Sequence, residues 1–233
     1  MIGIIVAVTE ELEAIKGIMT DVKENKIFEN QFYEGNIGKK EVVVSLCGVG
    51  KVNAARMTQI MIDKYSPEFI INSGVAGGIS DKVKIGDIVI GQRLVQHDFD
   101  LTAFGREKGE ISNRVGKFIN SNDDLVVKAY ITLTNDKELN GVIGTIASGD
   151  IFVTAPDMSK KINSKFEADC CEMEGAAIAQ VCFLDNVPFI VVRSISDAPN
   201  DNNKVDYESF VGIASQKVAR FVKEFLFWEV IKC

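Results

Sequence analysis

Histidine, proline and paired cysteines are scarce in this chain. Its 233 residues include one histidine, His97, with 4 prolines and 5 cysteines. A single histidine excludes metal sites built from several histidines, and the cysteines show no Cys-x-x-Cys spacing of a zinc ribbon. Their odd number also argues against a disulfide framework, so we expect free thiols and a cytoplasmic location. Acid–base chemistry should therefore depend on carboxylates.

The sequence also lacks a long apolar run, a basic patch and an obvious linker. Its N-terminal run Ile2–Val8 is short and is followed by Glu10 and Glu11, which favours a first β-strand over a signal peptide. No stretch approaches transmembrane length, so we expect no membrane partner. A net charge of −7 without a basic cluster argues against a nucleic-acid partner. We predict one domain over residues 1–233.

Alternating strand-like and helical segments predict the fold class. Strand-like runs occur at Ile2–Val8, Lys26–Tyr33, Glu41–Cys47, Glu68–Asn72, Asp87–Ile90, Arg93–His97, Val142–Ala147 and Phe189–Ile195. Helical periodicity occurs at Glu10–Met19, Lys51–Lys64, Asp123–Leu133, Pro156–Phe166, Glu172–Leu184 and Tyr207–Phe227. This order predicts a single α/β domain with a mixed central β-sheet flanked by helices on both faces, and a first hairpin turn at 35–38.

The segment Val187–Asp197 is predicted to be a buried strand that ends in polar residues. Phe189–Val192 are all large and apolar, which suits a central strand covered on both faces. Ser196 and Asp197 then follow at the carboxyl end, where open α/β sheets bind their ligands. The alternative is an ordinary turn, because Asp197 and the three residues after it also have turn composition.

Two glutamates near predicted helix starts share a face with apolar residues. Glu11 precedes Ile15 by four residues and Ile18 by seven, which places all three on one face of a helix. Glu174 precedes Ile178 by four residues in a second helix, which is predicted to begin at Glu172. Acidic residues in a first turn often only complement the helix dipole. An unpaired carboxylate on a buried face is costly, however, and so indicates a function.

Glu11, Glu174 and Asp197 could converge above one edge of the sheet. Cleavage of a glycosidic bond needs such a set, with an acid for the leaving group, a base for water and negative charge near the cationic sugar. A chance arrangement stays open at this point. The glycine-rich segments 46–53 and 72–78 match neither a complete dinucleotide-binding motif nor a phosphate loop, but their backbones could line the same pocket.

Taken together, these motifs resemble the 5′-methylthioadenosine/S-adenosylhomocysteine nucleosidase family, within the purine nucleoside phosphorylase-like superfamily. The resemblance covers essentially the whole chain and lies in Ile2–Ile5 with Glu10–Glu11, Gly48–Val52, Ile70–Gly78, Lys84–Val89, His97–Gly105, Ser148–Val153, Glu172–Glu174 and Val191–Asp197. It implies hydrolysis of the bond between adenine and a 5-thioribosyl sugar, as in methionine salvage, with no cofactor and no metal.

The resemblance assigns roles to the residues at matching positions. Asp197 would be the general acid that protonates adenine, supported by Ser196, and this role needs a raised pKa of the Asp197 carboxyl. Glu11 would activate the water, which Arg193 would help to hold. Glu174 would bind the ribose hydroxyls, together with the backbone of Met173.

The remaining substrate contacts are also implied by the resemblance. Phe152 would stack on adenine, and the backbone of Val153 would bind its Watson–Crick edge. The apolar pocket for the alkylthio tail would comprise Val8, Val49, Met173, Tyr207 and Phe210. Leu101 and Phe104 match residues contributed by a neighbouring subunit, which implies a homodimer. His97 would then belong to the segment that leads to the interface.

One position and one segment depart from the family pattern. Val75, also expected at the substrate, stands where relatives usually carry a hydroxyl residue near the water and the ribose. Water positioning would then depend more on Glu11, Arg193 and the loop backbone. The charged segment 106–112 replaces a more aromatic one over the tail pocket. We expect Arg106 in that segment to favour the amino-acid tail of S-adenosylhomocysteine over a methylthio group.

Three alternative functions stay open. A phosphorylase of the same superfamily would use phosphate in place of water, although Glu11 on the nucleophile side would repel that anion. A hydrolase of aminodeoxyfutalosine or a related nucleoside would need the same adenine site. A non-catalytic nucleoside sensor would keep the fold but would leave the three carboxylates without a function.

Overall fold

The structure, a computed structural model, describes residues 1–198 and 203–227, with the side chains of all of these except 203–206. The helices are α1 (Thr9–Lys16), α2 (Lys51–Tyr65), α3 (Asp123–Asn135), α4 (Pro156–Phe166), α5 (Gly175–Asp185) and α6 (Asn203–Phe227). The strands are β1 (Ile2–Val6), β2 (Thr20–Ile27), β3 (Asn30–Ile37), β4 (Lys40–Leu46), β5 (Ile70–Gly78), β6 (Ile88–Gln96), β7 (Ile119–Asn120), β8 (Gly141–Ser148), β9 (Cys170–Glu172) and β10 (Phe189–Asp197). No helix in these ranges is long and apolar enough to span a membrane.

The strands form one mixed sheet that closes on itself at one end. Strand β10 pairs in parallel with β5 and antiparallel with β6, and β6, β8 and β9 lead back to β5, which completes a ring of five strands. From β5 the sheet continues through β1, β4 and β3 to β2. Strands β1, β5 and β10 are parallel, so their carboxyl ends lie at the same edge.

Helices cover both faces of this sheet because its buried strands are apolar on both sides. Along β10, Ile190 and Val192 belong to a core cluster with α1, α3 and α6, whereas Phe189 and Val191 belong to a cluster with α2 and α5. Successive side chains of a strand point to opposite faces, so two cores result. The predicted fold class, an α/β domain with a mixed sheet between helices, is confirmed.

Several predicted boundaries were wrong in the first part of the sheet. The strand predicted at 26–33 is the end of β2, a turn and the start of β3, since Phe28 adopts a positive φ of 52°. The turn predicted at 35–38 lies later, because Gly35 still pairs with Val42 within the β3–β4 hairpin. The two strands predicted at 87–90 and 93–97 are one strand, β6, with a bulge between Gly91 and Arg93.

The start of α5 was also predicted wrongly. Glu172 ends β9, a short strand absent from the prediction, and α5 begins only at Gly175, with Glu174 as its N-cap residue. The three buried residues of β9 insert between β8 and β5. A strand this short shows too little alternation to be separated from the helical pattern that follows it.

Candidate active site

A cavity of about 490 Å³ opens at the carboxyl ends of β1, β5 and β10. The predicted site residues that line it are Val8, Glu11, Val49, Val75, Phe152, Val153, Met173, Glu174, Ser196, Asp197 and Tyr207. Seven further residues complete the wall: Ala7, Ala76, Gly77, Ile151, Cys171, Glu172 and Glu208. The three carboxylates predicted to converge, Glu11, Glu174 and Asp197, therefore face one space, although they lie far apart in the sequence.

Asp197 lies at the end of β10, after an irregularity in its pairing with β5. The register shifts between Ile195 and Asp197, so that Asp197 pairs with Gly77. Its carboxylate is 2% exposed, and its Oδ1 accepts a 2.7 Å hydrogen bond from the Ser196 hydroxyl. A Cβ on Gly77 would lie 3.2 Å from Oδ2 of Asp197, so the glycine lets the carboxylate approach the β5 backbone closely.

Glu11 is held in the cavity wall by main-chain donors. Its Oε2 accepts the N–H groups of Ala7 at 2.7 Å and Val8 at 3.2 Å, and its Oε1 accepts the N–H of Val75 at 2.9 Å. The side chain is buried, and burial raises the pKa of Glu11, against the smaller lowering effect of Arg193 and these three hydrogen bonds. A raised pKa makes the Glu11 carboxylate a stronger proton acceptor than an ordinary exposed carboxylate.

Glu174, the residue immediately before α5, projects into the cavity. Its Oε1 accepts the N–H of Gly50 at 2.9 Å, which joins the α5 start to the loop before α2. Burial, and then the neighbouring carboxylate of Glu172, raise the pKa of Glu174 to about 7. Arg193, whose Nη2 lies 3.8 Å from Oε2 of Glu174, has the opposite effect.

Arg193 does not line the cavity but lies fully buried behind its wall. Its Nη2 donates to Oδ1 of Asn72 at 2.6 Å and also pairs with the carboxylate of Glu172. A methyl group placed on Gly74 would overlap Nη1 of Arg193 and would lie 2.5 Å from Oε1 of Glu11. The missing side chain of Gly74 therefore leaves the space through which Arg193 and Glu11 approach each other.

Apolar side chains form the other walls of the cavity. The rings of Phe152 and Tyr207 meet edge to face with centroids 5.6 Å apart, which closes one side. Val75 packs with Val8 and with Val211 of α6, so α6 contacts the cavity wall at Val75, the position where relatives usually carry a hydroxyl residue. In the described ranges, no group of three or more His, Cys, Asp or Glu side chains is arranged to hold a metal ion.

Comparisons with known proteins agree with this geometry. The model of the phosphorylase superfamily matches residues 1–226. The 5′-methylthioadenosine/S-adenosylhomocysteine nucleosidase of Staphylococcus haemolyticus is 40% identical over 227 residues, which cover 97% of this chain and 99% of that protein. The chain belongs to this nucleosidase family. The resemblance inferred from the sequence is thus confirmed.

Solved structures of similar proteins include two named activities. The 5′-methylthioadenosine/S-adenosylhomocysteine nucleosidase of Neisseria meningitidis, in complex with methylthio-immucillin-A, has a TM-score of 0.93 and 33% identity, with 97% of each chain covered. The futalosine hydrolase of Helicobacter pylori strain 26695 has a TM-score of 0.91 and 34% identity, covering 97% of this chain and 96% of that one. Both share the fold over nearly their full length.

Four predicted residues of this nucleosidase lie outside its own cavity. Besides Arg193, these are Phe210, Leu101 and Phe104. Phe104 ends a 3₁₀ turn, Thr102–Phe104, and its side chain is 83% exposed. Arg106, in the charged segment, donates to Glu110 at 2.8 Å and to an asparagine at 2.9 Å within its own loop. His97 is buried away from the cavity, and burial lowers its pKa.

Glu172 and Cys171 also line the cavity, although neither was predicted as a site residue. Both belong to β9, whereas the sequence predicted a helix that begins at Glu172. The Glu-x-Glu spacing of Glu172 and Glu174 was the available signal, since alternate residues of an extended segment share a face. This spacing indicates a shared face only if residues 170–172 are recognised as a strand.

Proposed function

We propose that this nucleosidase hydrolyses the N-glycosidic bond of 5′-methylthioadenosine and S-adenosylhomocysteine, releasing adenine and the thioribosyl product. The observation that carries the proposal is the meeting of Glu11, Glu174 and Asp197 in one cavity. The names of relatives that share 40% of their residues supply the substrates. The sulphur-bearing sugar released in this reaction would enter methionine salvage.

In this proposal Asp197 is the general acid. It gives a proton to the purine ring as the bond to the sugar breaks, so that adenine leaves as a neutral molecule. The hydroxyl of Ser196 fixes the orientation of the Asp197 carboxyl group through the 2.7 Å hydrogen bond. Phe152 stacks on the purine, and the backbone of Val153 binds its polar edge.

Glu11 is the general base that removes a proton from the attacking water. Its three main-chain hydrogen bonds hold the carboxylate in place before substrate arrives, so little reorganisation accompanies the reaction. Glu174 and the backbone of Met173 bind the ribose hydroxyls, and the negative charges stabilise the cationic sugar of the transition state. Arg193 lies behind the wall, where its positive charge lowers the pKa of Glu11 and of Glu174 against the effect of burial.

The charge of the cavity favours water over phosphate as the nucleophile. Five carboxylate residues line it, and no lysine, arginine or histidine is among the lining residues that the structure describes. A phosphate ion would meet carboxylates and no cation on the described wall, because the guanidinium of Arg193 lies behind that wall and is paired with Glu172. A phosphorylase would need cationic groups in the cavity wall to hold the phosphate.

A second substrate class is supported by one comparison. The futalosine hydrolase of H. pylori is as similar in structure to this chain as the named nucleosidases are. Adenine release by the purified protein should therefore be measured with 5′-methylthioadenosine, S-adenosylhomocysteine and aminodeoxyfutalosine in parallel. We expect the first two to be hydrolysed efficiently. Activity with aminodeoxyfutalosine alone would replace this proposal, and no adenine from any of the three would favour a sensor.

We further propose a homodimer in which Leu101 and Phe104 reach the neighbouring site. The strongly exposed Phe104 ring supports this, because aromatic side chains are enriched in protein interfaces relative to the rest of the surface. Mixing inactive Glu11→Gln protomers with impaired Phe104→Ala protomers should regain activity, since mixed dimers contain one intact site. No recovery in verified mixed dimers would contradict the arrangement.

The charged segment 106–112 supports a separate proposal on substrate preference. Arg106→Ala, compared with wild type, should reduce the preference for S-adenosylhomocysteine over 5′-methylthioadenosine.

We also propose that the enzyme is cytoplasmic. Four of its cysteines, Cys47, Cys170, Cys171 and Cys182, are free thiols in the described structure. Burial raises the pKa of the Cys171 thiol, as it does for the other three. Adjacent thiols that stay reduced are typical of a reducing compartment.

A further inference from the structure

Glu172 is a buried carboxylate of the cavity wall to which the proposed reaction assigns no contact with the substrate. Its side chain is only 3% exposed. Its Oε2 accepts the N–H groups of Glu174 at 3.0 Å and Gly175 at 2.7 Å. The same oxygen pairs with Nη2 of Arg193, and Oε1 accepts the hydroxyl of Ser148. One side chain thus contacts β8, β10 and the beginning of α5.

The contacts of Glu172 fix the main chain from which Glu174 projects. The first N–H groups of a helix have no partner within the helix and need an outside acceptor. Here Glu172 accepts two of them, and Oγ of Ser148 accepts the next, from Ala176, at 2.7 Å. The negative charge of Glu172 at this helix start is also favourable toward the helix dipole.

Glu172 also sets the orientation of Arg193. A buried guanidinium is costly unless it is paired, and Glu172 makes its direct ion pair. That pair and the bond to Asn72 engage only Nη2. Within the described residues, Nε and Nη1 have no hydrogen-bond partner, and Nη1 is directed toward the gap at Gly74 beside Glu11. Without Glu172, the nearest remaining carboxylates for Arg193 are Glu174 and Glu11.

We infer that Glu172 is a positioning residue, which holds the guanidinium of Arg193 and the main chain of Glu174 in fixed relation to each other. This inference rests on the proposed function, since it concerns the alignment of groups around the same nucleoside. Glu172 keeps Arg193 from turning onto the carboxylates that act on substrate. Misplacement of such groups by about 1 Å can cost about 10²-fold in rate.

The test uses Glu172→Gln, which keeps the shape of the side chain but removes its charge. A glutamine oxygen can still accept the two helix N–H groups, so the fold should persist while Arg193 loses its ion pair. Asp169→Asn is the matched control. Asp169 is an equally buried carboxylate just before β9, bonded to Ser80 and to the N–H of Thr145, and it does not line the cavity.

Competent sites are counted by titration with methylthio-immucillin-A, the ligand bound to the Neisseria relative. We expect kcat per titrated site to fall about 10²-fold in Glu172→Gln, with little change in KM, and to stay near wild type in Asp169→Asn. Near-normal kcat per site in Glu172→Gln, or an equal loss in Asp169→Asn, overturns the inference while adenine release by the wild type upholds the proposed function. A wild type that releases no adenine removes both.

Discussion

The hydroxyl of Ser196 donates a 2.7 Å hydrogen bond to Oδ1 of Asp197, and both side chains are buried at the end of β10. Oδ2 of the same carboxylate lies toward Gly77 on β5. The bond distinguishes the two oxygens of Asp197, because only Oδ1 is held by the neighbouring hydroxyl. The bond therefore fixes the orientation of the Asp197 carboxyl group at the cavity wall.

Replacement of the general acid should reduce turnover far more than binding. We expect Asp197→Asn to lower kcat by about 10²- to 10⁴-fold, the usual contribution of general acid–base catalysis. KM for 5′-methylthioadenosine should change far less, because the cavity keeps its shape. Ser196→Ala is the control and should cost much less, since it removes only the orienting bond. Comparable losses in the two variants would be incompatible with the assigned roles.

The pH dependence of the rate should reflect the raised pKa of Glu11. A general base acts only when ionised, so kcat/KM should fall as pH decreases through that pKa. Because burial raises the pKa of Glu11, this decrease should occur above the ordinary value of 4.5. The profile of kcat/KM against pH measures it, with Glu11→Gln as the reference that should lose most activity. An acid limb at the ordinary carboxylate pKa would contradict the assignment.

Gly74 should tolerate no side chain. In Gly74→Ala the new methyl group would overlap Nη1 of Arg193 and crowd Oε1 of Glu11, so we expect severe loss of activity and stability. Gly212→Ala on α6 is a suitable control, because nothing lies within 4 Å of a Cβ built there. That change should be neutral or should stabilise by up to about 1 kcal/mol. Melting temperatures and adenine release would show the contrast, and an active, stable Gly74→Ala would refute it.

The free energy of unfolding of the ligand-free protein should depend on pH through the ionisation of Glu174. Its pKa is raised from 4.5 to about 7, so between these pH values the folded state retains a proton that the unfolded chain has lost. The resulting stabilisation is complete below about 4.5 and is lost as pH rises through 7.

Glutamine at position 174 cannot titrate, and this provides the measurement. The free energy of unfolding of Glu174→Gln, relative to wild type, should increase by about 2–3 kcal/mol between pH 5 and pH 8. Urea unfolding of both proteins at the two pH values tests this. A difference that does not change with pH would show that Glu174 is ionised throughout.

Part of this site could be predicted from local pattern. The buried run before Asp197 predicts a central parallel strand, and ligands bind beyond the carboxyl ends of such strands. The helical spacing of Glu11 with Ile15 correctly predicts an inward side chain, which the structure shows to be buried. Both inferences use the period of one element only, so they do not depend on the rest of the fold.

Other features depend on contacts that no single segment encodes. Glu174 was assigned to a helical face, but it is the residue before α5, so its cavity position comes from the insertion of β9 next to β5. The burial of Arg193 behind the wall depends on the gap at Gly74 and on Glu172, which lie in two other strands. The role proposed for Leu101 and Phe104 involves a second chain, which no local pattern in the sequence encodes.

Water as the group that displaces adenine distinguishes a nucleosidase from a phosphorylase, and the dependence of the rate on phosphate tests this most directly. The initial rate of adenine release from 5′-methylthioadenosine should be measured with phosphate removed and then restored. The carboxylate-lined cavity predicts equal rates and a free thioribose as the second product. Adenine release that stops without phosphate, with a sugar phosphate as the product, would contradict it.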